Sequence, residues 1–220
     1  MSFKKNKYQI IKKALSEPMA YFCKRYFTFK RQVANTLFTE RYISPYDVMH
    51  GTWEDGQVPN TYSCYADLVM EVLLVELLPL LQKKTGLKLT PNYSYGRIYK
   101  KGDILKRHKD RFECEISTTL NLGGEPWPIY IDPTGKDFVI DEQKNLIKPN
   151  APKGKKITLN PGDMLIYRGN ELEHWREPFE GEECIQVFLH YNNAASKGSD
   201  KNLFDGRPHL GLPGEFKRLK

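Results

Sequence analysis

The stretch Ile104 to Ser117, ILKRHKDRFECEIS, sets a histidine and an aspartate two positions apart, at His108 and Asp110. On an extended strand, side chains at i and i+2 leave the same face, so both can turn toward one ion while Lys109 points away. The pairing alone is weak. The chain has five histidines, and a His-x-Asp tripeptide arises by chance about once in four chains of this make-up. A metal site needs a third ligand, and His50, His174, His190 and His209 are the candidates. Position separates them, because His174 follows a turn and an apolar strand, with a strand-rich region between it and Asp110. Two imidazoles and one carboxylate leave three open positions on an octahedral ion, the facial arrangement suited to non-haem Fe(II). A closed zinc site would want a fourth ligand, often a thiolate, and none of the cysteines sits beside the motif.

The elements that must carry these residues divide into a helical front and a strand-rich back. Ser16, Glu17 and Pro18 read as an N-cap and first turn. Tyr21, Phe22, Tyr26, Phe29 and Val33 recur at helical spacing, so a helix over about 17–38 with these aromatics in the core is expected. A looser stretch with Pro45, Gly51, Gly56 and Pro59 follows. The 3.6 period returns from Tyr62 to Lys84 through Leu68, Val72, Val75 and Leu78, with a kink at Pro79 and an end at Gly86.

From Pro91 the pattern shortens to strands. Ile129 and Ile131 before Asp132-Pro133-Thr134-Gly135 suggest a hairpin continuing through Phe138 to Ile140. Ile157 and Leu159 lead through Asn160-Pro161-Gly162-Asp163 into an inner strand at Met164 to Tyr167. Ile185, Val187 and Leu189 then alternate with Cys184, Gln186, Phe188 and His190. Helices followed by antiparallel strands predict one α+β domain over 1–220, with a mainly helical support at 1–90, a sandwich or jelly roll at 91–191 and a surface extension at 192–220.

Composition bounds the function. With 220 residues, 40% hydrophobic and 12% aromatic, the chain can bury a full core. The richest apolar run, Leu68 to Leu81, is broken by Glu71 and Glu76 and is too short for a membrane span. Four separated cysteines form no C-x-x-C pair, and the Met1 start lacks an apolar leader, so a reduced, cytoplasmic protein is expected. The net charge of +7 is spread in doublets over the chain and not gathered on one helix, which argues against nucleic acid as partner.

Two longer stretches carry a resemblance. YGRIYKKGDILKRHKDR, Tyr95 to Arg111, resembles the strand and loop entering the metal site of 2-oxoglutarate/Fe(II)-dependent oxygenases of the prolyl 4-hydroxylase type, matched at Tyr99, Gly102, His108 and Asp110. NPGDMLIYRGNELEHWREPFEG, Asn160 to Gly181, is similar to the P-G-D turn, apolar strand and distal histidine of that family. With QVFLHY, Gln186 to Tyr191, the pattern is similar to small oxygenases encoded by marine bacteriophages. The resemblance implies a double-stranded β-helix, a jelly roll with supporting N-terminal helices. It implies His108, Asp110 and His174 as ligands of Fe(II), 2-oxoglutarate and O2 as cosubstrates, ascorbate as reductant, and hydroxylation of a prolyl residue in a protein or peptide. The same chemistry on a free amino acid, another side chain or a nucleobase is the alternative, and a metal-bearing binding module without turnover is a second.

One departure stands out. The family places a Lys or Arg nine to eleven residues after the distal histidine to hold the far carboxylate of 2-oxoglutarate, whereas this chain has Glu183, Cys184 and Ile185 there. Arg176, two residues after His174 and on its strand face, is the expected substitute because it offers a bidentate fork. Gln186, His190, Thr119 and Tyr99 are further polar candidates for the cosubstrate pocket. Trp127 and Trp175, with Arg107 and Arg111, are expected near the mouth, although Trp175 lies between two inward positions and should pack outside.

Overall fold

The computed structural model describes residues 2–136 and 152–217. Among the described residues, four helices and ten strands follow in the order α1 (Phe3–Asn6), β1 (Tyr8–Ile11), α2 (Glu17–Thr39), β2 (Tyr62–Tyr65), α3 (Leu68–Glu76), α4 (Leu78–Thr85), β3 (Leu89–Lys100), β4 (Leu105–His108), β5 (Ile116–Gly124), β6 (Ile129–Ile131), β7 (Lys155–Ile157), β8 (Met164–Arg168), β9 (His174–Arg176) and β10 (Glu183–Asn193). The strands form a six-stranded sheet, β1-β8-β5-β10-β3-β2, and a four-stranded sheet, β4-β9-β6-β7. The described pairings are antiparallel, so the two sheets make the expected jelly roll.

Alternation along the major sheet sorts its side chains into two environments. Ile98, Ile116, Leu120, Leu122, Met164, Ile166, Ile185, Val187 and Leu189 pack in one cluster with residues of α2, α3 and α4. The intervening positions, among them Tyr99, Thr119, Tyr167, Gln186 and His190, turn toward the minor sheet. Tyr8, Leu165 and Tyr167 there meet Ile129, Ile131 and Ile157.

Helix α2 begins and ends where expected, but buries another face. Ser16 stands at its N-cap position without a side-chain cap bond, and Pro18 lies in its first turn. Its buried residues are Ala20, Cys23, Phe27 and Ala34, while Tyr21, Phe22, Phe29 and Val33 are 50–61% exposed. The helix carries two apolar stripes, and the one with small residues lets it lie close on the sheet. Phe27 reaches so near β3 that a Cβ on Gly96 would stand 2.6 Å from its ring. The segment from Tyr62 begins as β2 and not as a helix, because those residues pair with β3 at Tyr62↔Ile98. Asp67 then caps α3 by accepting from Val69 and Met70 N–H. It also accepts from Lys30 and Tyr26 of α2. Met70, Leu73 and Leu74 face the core, whereas Leu68, Val72 and Val75 face out. The expected kink is a break at Leu77, with Pro79 in the first turn of α4. Gly86 ends α4 at φ 71°, a left-handed conformation that glycine adopts at no steric cost.

The pairing partner of β6 is β7, with Ile129 opposite Ile157, and β9 on its other side. Phe138 to Ile140 lie outside the described residues. The segment after β10 is not a loose extension. Ser199–Gly206 forms a 3-10 segment, with Asn202 and Asp205 buried. Arg207, 3% exposed, reaches Glu71 of α3 at 2.6 Å and also donates to the carbonyls of Leu212, Phe204 and Asn92. The tail returns because it carries the cation that the buried Glu71 requires.

Candidate metal centre and active site

His108 closes β4 and His174 opens β9, and the two residues are directly opposite in the antiparallel register. Their rings lie 4.3 Å apart, centre to centre. Asp110 lies beyond the end of β4, so it joins them by a loop and not by strand alternation: its N–H donates to Gly169 O at 2.9 Å. Asp110 Oδ1 is 3.6 Å from Nε2 of His108 and 3.5 Å from Nε2 of His174. Donors bound at 2.0–2.2 Å to one ion stand roughly 3–3.5 Å apart, so modest closure brings all three onto a metal.

The tautomers suit that role. His108 Nδ1 is 2.7 Å from Lys106 O and His174 Nδ1 is 3.0 Å from Leu172 O, contacts that place the proton on Nδ1 and leave each Nε2 lone pair facing Asp110. Burial, then repulsion from His174, lowers the pKa of His108 and keeps it a neutral donor. Burial alone would raise the Asp110 carboxyl, but positive charge on the adjoining His174 and His108 rings holds it well below the usual carboxylate range when no metal is bound. The donor set, two imidazoles and one carboxylate, fits a divalent ion with open positions. His50 instead bonds Asp47 at 3.0 Å, and His209 lies beside Leu210 O.

A cavity of about 370 Å³ opens over the three residues. Tyr93, Tyr95 and Arg97 of β3 line it at alternate positions, continuing the face of Tyr99. The loop before β2 contributes Asp55, which pairs with Arg97 and accepts from Tyr95 at 2.5 Å. Gln57 accepts from Arg97 at 3.2 Å, and its amide nitrogen is 3.1 Å from His108 Nε2. Arg97, Tyr95 and Tyr93 share the strand face of Tyr99, which the resemblance had matched, whereas nothing in the loop sequence distinguishes Asp55 or Gln57.

The proposed cosubstrate residues separate into two groups. Arg176, Thr119, Gln186 and Tyr99 meet beside Trp127. Arg176 donates to Trp127 O and, at 3.2 Å, to Thr119 Oγ1, and its guanidinium lies 5.0 Å from the centre of the Trp127 ring. Thr119 donates to Gln186 Oε1 at 3.0 Å, and Tyr99 stacks edge-on with Trp127. Arg176 is 1% exposed, has no ion pair among the described residues, and its Nε lacks a hydrogen-bond partner. Burial lowers its pKa, partly offset by Cys184 and Tyr99. Leu105 and Phe188 line the cavity and belong to the same apolar cluster as Tyr99 and Trp127, so Arg176 stands one layer behind the cavity wall.

His190 belongs to the other group, behind Asp110. Its Nδ1 is 3.1 Å from Ser117 Oγ, and its ring packs on Tyr93 at 4.6 Å. Burial pushes its pKa down to about 4. Cys114 lies here as well, 3.0 Å from the Tyr93 hydroxyl, so a thiol does stand beside the His-x-Asp motif once the short turn Phe112–Cys114 folds back. All four cysteines are buried and free.

The mouth residues differ from expectation at one point. Arg111 lines the cavity. Arg107, by contrast, is buried between Glu173 at 2.5 Å and Asp132 at 2.9 Å and lies over Trp175, where it ties β4 to its neighbours. Trp175 packs outward on Tyr130, as its position between His174 and Arg176 requires. No described helix is long and apolar enough to cross a membrane.

No protein-family model and no curated protein matches the sequence. Solved structures do match in shape. A prolyl-4-hydroxylase from Pseudomonas putida superposes with a TM-score of 0.56 at 12% identity, covering 88% of this chain and 96% of that one. HygX from Streptomyces hygroscopicus, with nickel and 2-oxoglutarate bound, gives 0.57 at 13% identity, covering 88% and 85%. The non-haem α-ketoglutarate-dependent epimerase SnoN from nogalamycin biosynthesis gives 0.59 at 12% identity, covering 96% and 89%. The architecture is therefore the double-stranded β-helix shared by these 2-oxoglutarate-dependent proteins.

Proposed function

We propose that this protein is an Fe(II)- and 2-oxoglutarate-dependent dioxygenase that hydroxylates a prolyl residue in a protein or peptide. The observation that carries the oxygenase reading is the cross-strand pair His108 and His174, each with Nδ1 on a backbone carbonyl and Nε2 on Asp110, in a fold shared with HygX and SnoN. Bound iron would supply, with O2 and 2-oxoglutarate, the power to oxidise an unactivated C–H bond, with succinate and CO2 as coproducts.

The chain's own residues have defined tasks. His108, Asp110 and His174 hold the ion and leave three places on it. Arg176 receives the far carboxylate of 2-oxoglutarate: it stands about 7 Å along β9 from His174 and is a buried cation without an anion among the described residues. Thr119 and Gln186 orient that guanidinium, and Trp127 covers it. Reaching it requires Leu105 and Phe188 to yield, which also strips water from the cosubstrate. Tyr93 and Tyr95 offer aromatic walls to the cavity, suited to the compact apolar ring of proline. The prolyl assignment draws on the sequence resemblance and on the likeness to the P. putida enzyme.

The alternative, the same chemistry on a free amino acid, another side chain or a nucleobase, is supported by the comparable likeness to SnoN, an epimerase. One experiment separates the readings. The protein is incubated with Fe(II), ascorbate, 2-oxoglutarate and panels of prolyl and proline-free peptides, and succinate and a mass gain of one oxygen are followed. Hydroxylated prolyl peptides are expected. Oxygen gained only by other substrates moves the assignment to the alternative, and metal binding without succinate under any condition leaves a binding module.

A further inference from the structure

Asp110 is the ligand least fixed by its own element, since it stands past the end of β4. Its two carboxylate oxygens have different surroundings. Oδ1 faces both Nε2 atoms. Oδ2 accepts the Ser117 hydroxyl at 2.6 Å. Ser117, fully buried on β5, is also 2.9 Å from Cys114 O and 3.1 Å from His190 Nδ1. A serine hydroxyl has one proton. With His190 Nδ1–H donating to Oγ, that proton goes to Asp110 or to the Cys114 carbonyl, and the shorter contact to the charged acceptor decides for Asp110.

The remaining space around Oδ2 is closed by Gly169. A Cβ there would collide with Oδ2 and stand 2.6 Å from Ser117 Oγ and from Cys114 O. Asp110, Cys114 and His190 bring potential ligand atoms within 4.8 Å of one another, a spacing that would suit a second ion. Ser117 already occupies Asp110 Oδ2 and His190 Nδ1, and the Tyr93 hydroxyl occupies the Cys114 thiol, so the cluster is a support.

We infer that Ser117, oriented by His190, is a positioning residue that reserves one oxygen of Asp110 for the metal and keeps the other out of its coordination sphere. The inference rests on the metal-binding part of the proposed function. Its consequence is a count of places: a carboxylate bound through one oxygen leaves three on an octahedral ion, enough for a bidentate cosubstrate and O2, whereas a carboxylate bound through both leaves two.

The test uses the full chain, Ni(II) titration calorimetry and the visible absorption spectrum of the Co(II)-loaded protein. Ser117→Ala should weaken Ni(II) binding about 10- to 100-fold, as loss of such supporting contacts does, and should alter the cobalt spectrum as the second oxygen enters. Thr118→Val serves as the structural control. Thr118 is buried on the opposite face of β5, where its hydroxyl bonds the Leu189 backbone, so its loss should lower thermal stability and leave affinity and spectrum unchanged. Wild-type affinity and spectrum in a folded Ser117→Ala protein would overturn the inference alone. Equal changes in both variants would reduce Ser117 to a stability role and overturn it too. A wild-type protein that binds neither metal would overturn the metal reading together with it.

Discussion

Arg97 and Arg176 are both buried guanidiniums inside one jelly roll, each close to aromatic rings, yet their charges are handled in opposite ways. Arg97 lines the open cavity and is matched by Asp55, with Gln57 and Tyr99 taking further hydrogen bonds. Arg176 lies deeper and, among the described residues, hydrogen-bonds Trp127 O and Thr119 Oγ1 with no anion beside it. A buried cation without an anion is costly to keep. The one that already has its carboxylate is structural. The one that lacks it is suited to wait for a dianionic ligand, although the other is nearer the mouth.

Four perturbations test that contrast. The largest effect is expected from His174→Ala, which removes the site both arginines adjoin: metal binding and turnover should be lost, measured by calorimetry and succinate release, while His190→Ala keeps measurable metal affinity. Asp55→Asn leaves Arg97 buried without its anion and should cost about 3–5 kcal/mol, on the order of 10 °C in thermal midpoint, with 2-oxoglutarate affinity within about threefold of wild type. Arg176→Ala should do the reverse, raising the 2-oxoglutarate dissociation constant at least about tenfold with the metal still bound. Arg176→Gln should be nearly as damaging, and Arg176→Lys should restore part of the loss, because an ammonium cannot reproduce the fork. If Arg97→Ala weakens cosubstrate binding and Arg176→Ala does not, the assignment of the two arginines is inverted.

The smallest effect separates a guanidinium, which stays charged, from an imidazole, which avoids the cost by staying neutral. His190 is pushed down to about 4 by burial, and His108 is lowered by the same cause. In the unfolded chain histidines take up protons near pH 6.5. Between about pH 6.5 and 4 the unfolded state therefore binds more protons, and the metal-free protein should lose stability as pH falls through that window, by about 2–3 kcal/mol for His190. Denaturation midpoints over this range should show a shallower slope in His190→Asn.

The clustering of His108, Asp110 and His174 was legible because two of the three fall within three residues and the third follows a recognisable turn and strand. The sequence misjudged how Asp110 arrives, since a strand end is invisible without its partner strand. Arg176 was legible from the period of two that links it to His174. The same rule applied backward from Tyr99 reaches Arg97, Tyr95 and Tyr93, but only a structure reveals that the loop carrying Asp55 and Gln57 folds over them. Ser117 had no distinguishing mark, because its role depends on a contact with Asp110 across elements. The helices show a different limit. Apolar periodicity identified them, but α2 has two apolar stripes, and the closeness allowed by Ala20, Cys23 and Ala34 decides which one is buried.

The Glu71–Arg207 pair has a consequence for the order of folding. Its members are 136 positions apart, with β3 to β10 between them. During synthesis the strands that form the jelly roll emerge before Arg207 does, and until then the carboxylate of Glu71 has no cation to accompany it into the interior. Helix α3 therefore has reason to stay loosely docked while the sheets assemble, and to seat fully only when Arg207 arrives. The step that completes the helical support of the sheet then waits on a segment that follows every strand of the jelly roll.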